Sequence, residues 1–109
     1  MKTREEWLEQ LPIGWRIAFG NQLADEVIAL TKKYNFENEY EVLQIKEKFG
    51  GLRWYAGHVP QEMYAEHSDL IHKYETMSYR TCILCGRAAA APKTMFDQPI
   101  CDECKTKKL

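Results

Sequence analysis

Glu41-Val42-Leu43-Gln44-Ile45-Lys46-Glu47-Lys48-Phe49-Gly50-Gly51-Leu52-Arg53-Trp54-Tyr55-Ala56-Gly57 decides the fold. Apolar and polar residues alternate on both sides of two adjacent glycines. Paired glycines supply the positive φ angles of a tight two-residue turn, so residues 39–58 are expected to form a β-hairpin around Gly50-Gly51. With that turn, Phe49 faces Leu52, Glu47 faces Trp54 and Ile45 faces Ala56. One face then holds Leu43, Ile45, Phe49, Leu52, Trp54 and Ala56, with Glu47 its only polar member. The other holds Gln44, Lys46, Lys48, Arg53 and Tyr55. A one-residue slip would mix the two faces, which supports the pairing. A lone hairpin is marginally stable in water, so its apolar face calls for helices to cover it.

The flanking segments supply such helices. Thr3-Arg4-Glu5-Glu6 has the form of a capping box, with Thr3 as cap and Glu6 reaching back, opening a short helix that Pro12 and Gly14 end. Trp15, Phe19, Leu23, Val27, Leu30 and Tyr34 recur at steps of four and three, one face of a helix. Gly20-Asn21 interrupts that stripe, so the regular helix is expected to start at Asn21 as its cap and to end near Tyr34-Asn35. After the hairpin, Pro60 suits a helix start, and Met63, Tyr64, His67, Leu70, Ile71, Tyr74 and Met77 follow at helical spacing. Glu62, Glu66, Asp69, Lys73 and Glu75 take the opposite face. The sequence shows no internal repeat at this level. Ala88 to Ala91, before Pro92, reads as a loop.

A second pattern lies downstream: Cys82-x2-Cys85, a spacer, then Cys101-x2-Cys104. Each pair sets two sulfurs on a tight turn, and the spacer lets the second pair come round to complete a tetrahedron. Gly86 gives the first knuckle a permissive backbone. Four cysteines leave no position open for substrate, so the metal is expected to be a structural Zn2+. The competing readings are two disulfides, a redox pair or iron on the same ligands. Redox pairs usually belong to a thioredoxin-like βαβ context, which the pattern here lacks.

Composition sets further bounds. Of 109 residues, 45% are apolar and 28% charged, which fits a folded domain rather than a disordered chain. The formal net charge of −1 argues against a protein held to phosphate by bulk charge alone. The tail from residue 79 on is basic, but four thiolates around a zinc ion would take most of that excess away. Met1 to Trp7 has no apolar signal core, and no stretch approaches the length of a membrane span. The expected setting is a reducing cytoplasm, where paired cysteines favour metal.

Lys46, Lys48, Arg53 and Tyr55 share the solvent face of the hairpin beside Gly50 and Gly51. Cations, a ring and turn amides together form a candidate binding face for an anion, a nucleotide or nucleic acid, and the same face would serve a protein partner. A solvated sheet face is the plain alternative. His67 lies on an apolar stripe and reads as a packed histidine, while His58 and His72 stand apart. Trp7, Trp15 and Trp54 read as core, and Asp97 and Asp102 as turn or cap residues. No catalytic residue set emerges.

The block from Ile45 to Tyr55, with Gly14-Trp15 upstream and the four cysteines downstream, resembles small uncharacterised proteins of phages and prophages over about residues 12–104. The resemblance implies a phage-type setting, in which small proteins act by binding a host component. The expected fold is α+β: two main helices packed on a hairpin (1–79), followed by a zinc-ribbon or treble-clef-like module (80–109). The expected function is a non-enzymatic zinc-stabilised binding protein with a protein partner, an inhibitor or adaptor of host machinery that includes antiviral defence. Nucleic-acid or nucleotide binding is the second expectation and a small enzyme the third. An exposed hairpin edge would permit self-pairing, and oligomeric state is left open.

Overall fold

The structure, a computed structural model, describes residues 4–107; the expected cap at Thr3 lies outside them. In chain order the elements are α1 (Arg4–Gln10), α2 (Ile13–Trp15), a π-helical turn (Arg16–Gly20), α3 (Asn21–Lys33), β1 (Val42–Lys48), β2 (Gly51–Ala56), α4 (Gln61–Ser78) and α5 (Asp102–Lys107). The fold is α+β, with one antiparallel hairpin among helices and the four cysteines gathered near the C-terminus. No helix is long and apolar enough to cross a membrane among the described residues.

Helix formation begins at Ile13, ahead of the expected start. Gly20 and Asn21 keep right-handed helical angles, so α2, the π turn and α3 run on as one rod. Asn21 is therefore an interior residue rather than a cap, and its side chain receives Arg4 instead. The π turn has a cause in the spacing. Trp15, Phe19 and Leu23 are separated by steps of four, which drift off an α-helical face, and a wider turn brings them back to one side. All three are buried.

The hairpin forms, with its turn one residue earlier than expected. Phe49 (φ 56) and Gly50 (φ 87) occupy the turn, so Lys48 pairs with Gly51, Glu47 with Leu52 and Ile45 with Trp54. The pairing differs from the expected one by two residues, which keeps each residue on its face because the side-chain period is two. Two members of the expected apolar face leave it. Phe49 sits exposed in the turn, and a bulge between Val42 and Gln44 buries Val42 and turns Leu43 outward.

Both hairpin edges are met by side chains. The Ile45 amide donates to Gln10 Oε1 (3.1 Å) and the Leu52 amide to Ser78 Oγ (2.8 Å). These bonds occupy edge amides that self-pairing would use. One buried cluster joins α1, the long rod, the hairpin and α4. Trp7 meets Trp54 and Tyr40 edge-on (5.5 and 6.0 Å between centroids), and Phe19 lies between Trp15 and Tyr74. The three tryptophans are core residues, as expected. On α4, Met63, His67 and Tyr74 are buried, whereas Tyr64 and Met77 of the expected stripe are exposed.

The α3–α4 pair carries a relation that the sequence pattern hides. Glu26, Leu30, Lys33 and Tyr34 recur at identical spacing as Glu66, Leu70, Lys73 and Tyr74. In space the pairing is reciprocal. Glu26 accepts from Lys73 (3.2 Å) and Tyr74, and Glu66 accepts from Lys33 (2.9 Å) and Tyr34. The tyrosine hydroxyls are the main cause holding both carboxyls below their ordinary range. Leu30 and Leu70 line the groove between the two locks.

Candidate metal centre

Four sulfurs from two separated segments meet at one point. The Sγ atoms of Cys82, Cys85, Cys101 and Cys104 all lie within 4.8 Å of one another, and Cys85 and Cys101 are 3.6 Å apart. All four are free cysteines. Sulfurs about 2.3 Å from a common tetrahedral ion stand roughly 3.8 Å from each other, so the cluster has the size a metal tetrathiolate needs. The donor set fits a soft divalent ion held in a closed site.

The backbone explains the gathering. The first pair sits on a knuckle closed by Cys82 N–H to Arg87 C=O (2.7 Å) and Gly86 N–H to Cys82 C=O (3.0 Å), at the bridge between Thr81 and Ala88. Gly86 has φ 86, the left-handed angle that a knuckle demands and glycine tolerates. The second pair lies at the start of α5, which is the treble-clef-like form of the two expected. Arg87 and Glu103 pair across the centre and clasp the knuckle to α5.

Electrostatics favour thiolate at one corner. Burial pushes the Cys82 thiol up, but the amides of Cys101, Cys85 and Leu84 directed at its sulfur outweigh that and bring it down to about 6. Cys104 moves the other way, to about 12, through its bond to the Cys85 side chain and then burial. A soft divalent ion held by Cys82, Cys85, Cys101 and Cys104 would favour the thiolate form of all four.

The knuckle is locked into the rest of the chain. Gly14 N–H donates to Ile83 C=O (2.9 Å) and Trp15 Nε1 donates to Thr81 C=O (2.9 Å). A Cβ on Gly14 would stand 2.1 Å from the Cys82 carbonyl oxygen, so only glycine lets the rod approach this closely. Ile83 belongs to the main core cluster. The Gly14-Trp15 pair was visible in the sequence, but nothing in its local pattern tied it to cysteines so far along the chain.

The expected binding face is partly redistributed. Lys46, Lys48 and Tyr55 lie on the outer hairpin face, with Lys46 Nζ 5.9 Å from the Tyr55 ring centroid. Arg53 is held by Glu75 (2.7 Å). Gly50 and Gly51 are buried rather than presenting open amides: Gly50 N–H donates to Glu47 Oε2 (2.7 Å), and added Cβ atoms would meet Pro92 Cγ at 2.8 Å and Tyr79 Cζ at 2.4 Å. Both glycines are packing seats, one for the loop that leads to Cys101 and one for the end of α4.

His67 is buried, with Tyr40 Oη 2.7 Å from its Nε2, and Tyr40 also accepts from Trp54 Nε1 (2.9 Å). Having accepted from Trp54, the Tyr40 hydroxyl keeps its own proton to donate, and His67 Nε2 stands within hydrogen-bond reach of it. His58 and His72 lie apart from the metal centre. Asp97 accepts from Thr94 in a turn, as expected, whereas Asp102 is the first residue of α5 rather than its cap. Compared with known proteins, the chain matches no protein family, no curated protein and no solved structure, and the centre is read from its own geometry.

Proposed function

We propose that this chain is a non-enzymatic binding protein stapled by one structural zinc ion, of the small phage type. It acts in the host cytoplasm on a host protein, as an inhibitor or adaptor of host machinery that includes antiviral defence. The observation that carries this reading is the closed set of four sulfurs locked to Gly14 and Trp15, a donor arrangement suited to scaffolding rather than to binding substrate. Ile13 and Ile17, one helical turn apart and exposed beside the knuckle, with Leu84 exposed on the knuckle itself, offer apolar surface where a protein partner would seat. The test is reconstitution. A partner captured from host extract by the intact chain is purified and mixed with it, and a stoichiometric complex is expected that Ile17→Asp weakens at least about tenfold. Turnover of a substrate by the chain, with no such complex, would contradict the reading.

A second reading, nucleic-acid binding on the hairpin, is favoured by one observation: Lys46 and Lys48 make no ion pair among the described residues, and each lies beside a ring.

A further inference from the structure

We propose that a single-stranded nucleic acid lies across the outer hairpin face and the adjoining metal loop, on two lysine–ring couples, Lys46 with Tyr55 and Lys48 with Phe49, and on the exposed Lys93 and Phe96 of the loop. The inference deepens the second reading above and is independent of the protein partner.

The charges point to an anion. Arg4, Lys33, Arg53, Lys73, Arg87 and Lys107 each pair with a carboxylate. Lys46, Lys48 and Lys93 pair with none among the described residues. The carboxylates closest to them in the chain are engaged by neutral donors: Glu47 by the Gly50 amide and Gln98, and Asp97 by Thr94. Arg16, Lys32, Arg80 and Lys105 likewise make no ion pair among the described residues; what sets Lys46, Lys48 and Lys93 apart is their place on the hairpin and the adjoining loop, where an outside anion could meet them.

The rings point to bases. Tyr55 and Phe49 are exposed, with Lys46 Nζ 5.9 Å and Lys48 Nζ 5.3 Å from their centroids. Each couple offers a flat surface for a base and a cation for its phosphate. Lys46 and Lys48 are alternate residues of β1, a step of about 7 Å along one face, room for one unstacked nucleotide per couple. Burial of Gly50 against Pro92 and the Asp97 carbonyl brings the metal loop beside the turn, so Lys93 and Phe96, their neighbours in the chain, lie on the segment that adjoins the second couple.

Phe96, 86% exposed, is presented by a turn that is already formed. Asp97 N–H donates to Thr94 C=O (3.2 Å), the Thr94 hydroxyl to Asp97 Oδ2 (3.0 Å) and the Phe96 amide to Thr94 Oγ1 (3.2 Å). Little ordering is left to do on binding. Rings read any base by its face, and a base stacked in a duplex has no free face, so the surface suits a single strand without strong sequence preference.

The experiment is fluorescence anisotropy of a labelled oligothymidylate with the intact zinc-loaded chain, at about 50 and about 200 mM salt. Saturable binding that weakens with salt is expected. Lys48→Glu with Lys93→Glu should lower affinity at least about tenfold, and Phe96→Ala about fivefold or more. Lys32→Glu, at an exposed site on α3 that makes no ion pair among the described residues, should leave binding unchanged. All these side chains are exposed, and circular dichroism confirms folding before titration. Binding lost with Lys46→Glu but indifferent to Lys93→Glu and Phe96→Ala overturns the extended track and leaves the hairpin reading standing. No binding at the lower salt overturns both. Equal loss with Lys32→Glu, or equal competition by duplex DNA or polyglutamate, also overturns the single-strand proposal.

Discussion

The α3–α4 face and the corner where the hairpin meets the metal loop use charge in opposite ways. On the first, Lys33 and Lys73 are each held by a glutamate of the facing helix, and a tyrosine completes each lock. At the second, Lys46, Lys48 and Lys93 have no such partner among the described residues, while glycines are buried under a ring and a proline. A paired lysine on an exposed helix face is part of the scaffold, and an unpaired one beside a ring is available. Counting cations in the sequence gives both regions equal weight; the pairing separates them.

That contrast breaks most sharply at the close backbone approaches. Gly14→Ala drives a methyl into the Cys82 carbonyl and should prise the knuckle off the rod, lowering stability by about 3 kcal/mol or more, read as a fall in the melting midpoint of the zinc-loaded protein. A melt unchanged by that substitution would mean that the two segments are not locked together. Gly51→Ala, against the Tyr79 ring, should cost about 1–3 kcal/mol by denaturant titration without altering zinc content. Loss of zinc in that variant would show that the corner and the centre are one unit.

A smaller effect comes from pH. Burial holds His67 below its ordinary 6.5, so the unfolded chain takes up a proton first as pH falls. Stability should therefore start to decline near pH 6.5 and go on declining down through the depressed folded value. His67→Gln should flatten that part of a stability–pH profile; an unchanged slope would place the titrating group elsewhere. The smallest effect belongs to the paired face: Lys33→Ala, at a solvent-exposed lock, should leave the melting midpoint within error. A large drop there would show that the lock contributes more to stability than an exposed ion pair ordinarily does.

Much of this arrangement is legible in the sequence because it is periodic or spaced. The cysteine spacing announces a four-sulfur cluster, the alternation announces a hairpin, and the apolar stripes announce the two long helices. The turn was displaced by one residue for a physical reason. Gly50-Gly51 looks like a two-residue turn, yet Gly51 is needed beside Tyr79, so Phe49 takes the second positive φ. The bulge that swaps Val42 for Leu43 has no local signal. The reciprocal locks were in plain view as two identical spacings, but no rule of local periodicity joins a glutamate on one helix to a lysine and tyrosine on another. Gly14 against Cys82 is likewise a long-range contact, readable only once the chain is folded.

Through Gly14 and Trp15 the four-cysteine knuckle is tied to the long rod, so a metal held there would staple the whole chain rather than its own loop. Native mass spectrometry with and without a chelator, followed by amide hydrogen exchange on both forms, tests it most directly. One zinc ion per chain is expected. Its removal, a loss on the order of 10 kcal/mol of binding free energy, should release protection at Gly14 and through the π turn as well as at the cysteines. Absence of metal in the purified protein, or metal loss that leaves Ile13–Gly20 fully protected, would contradict it.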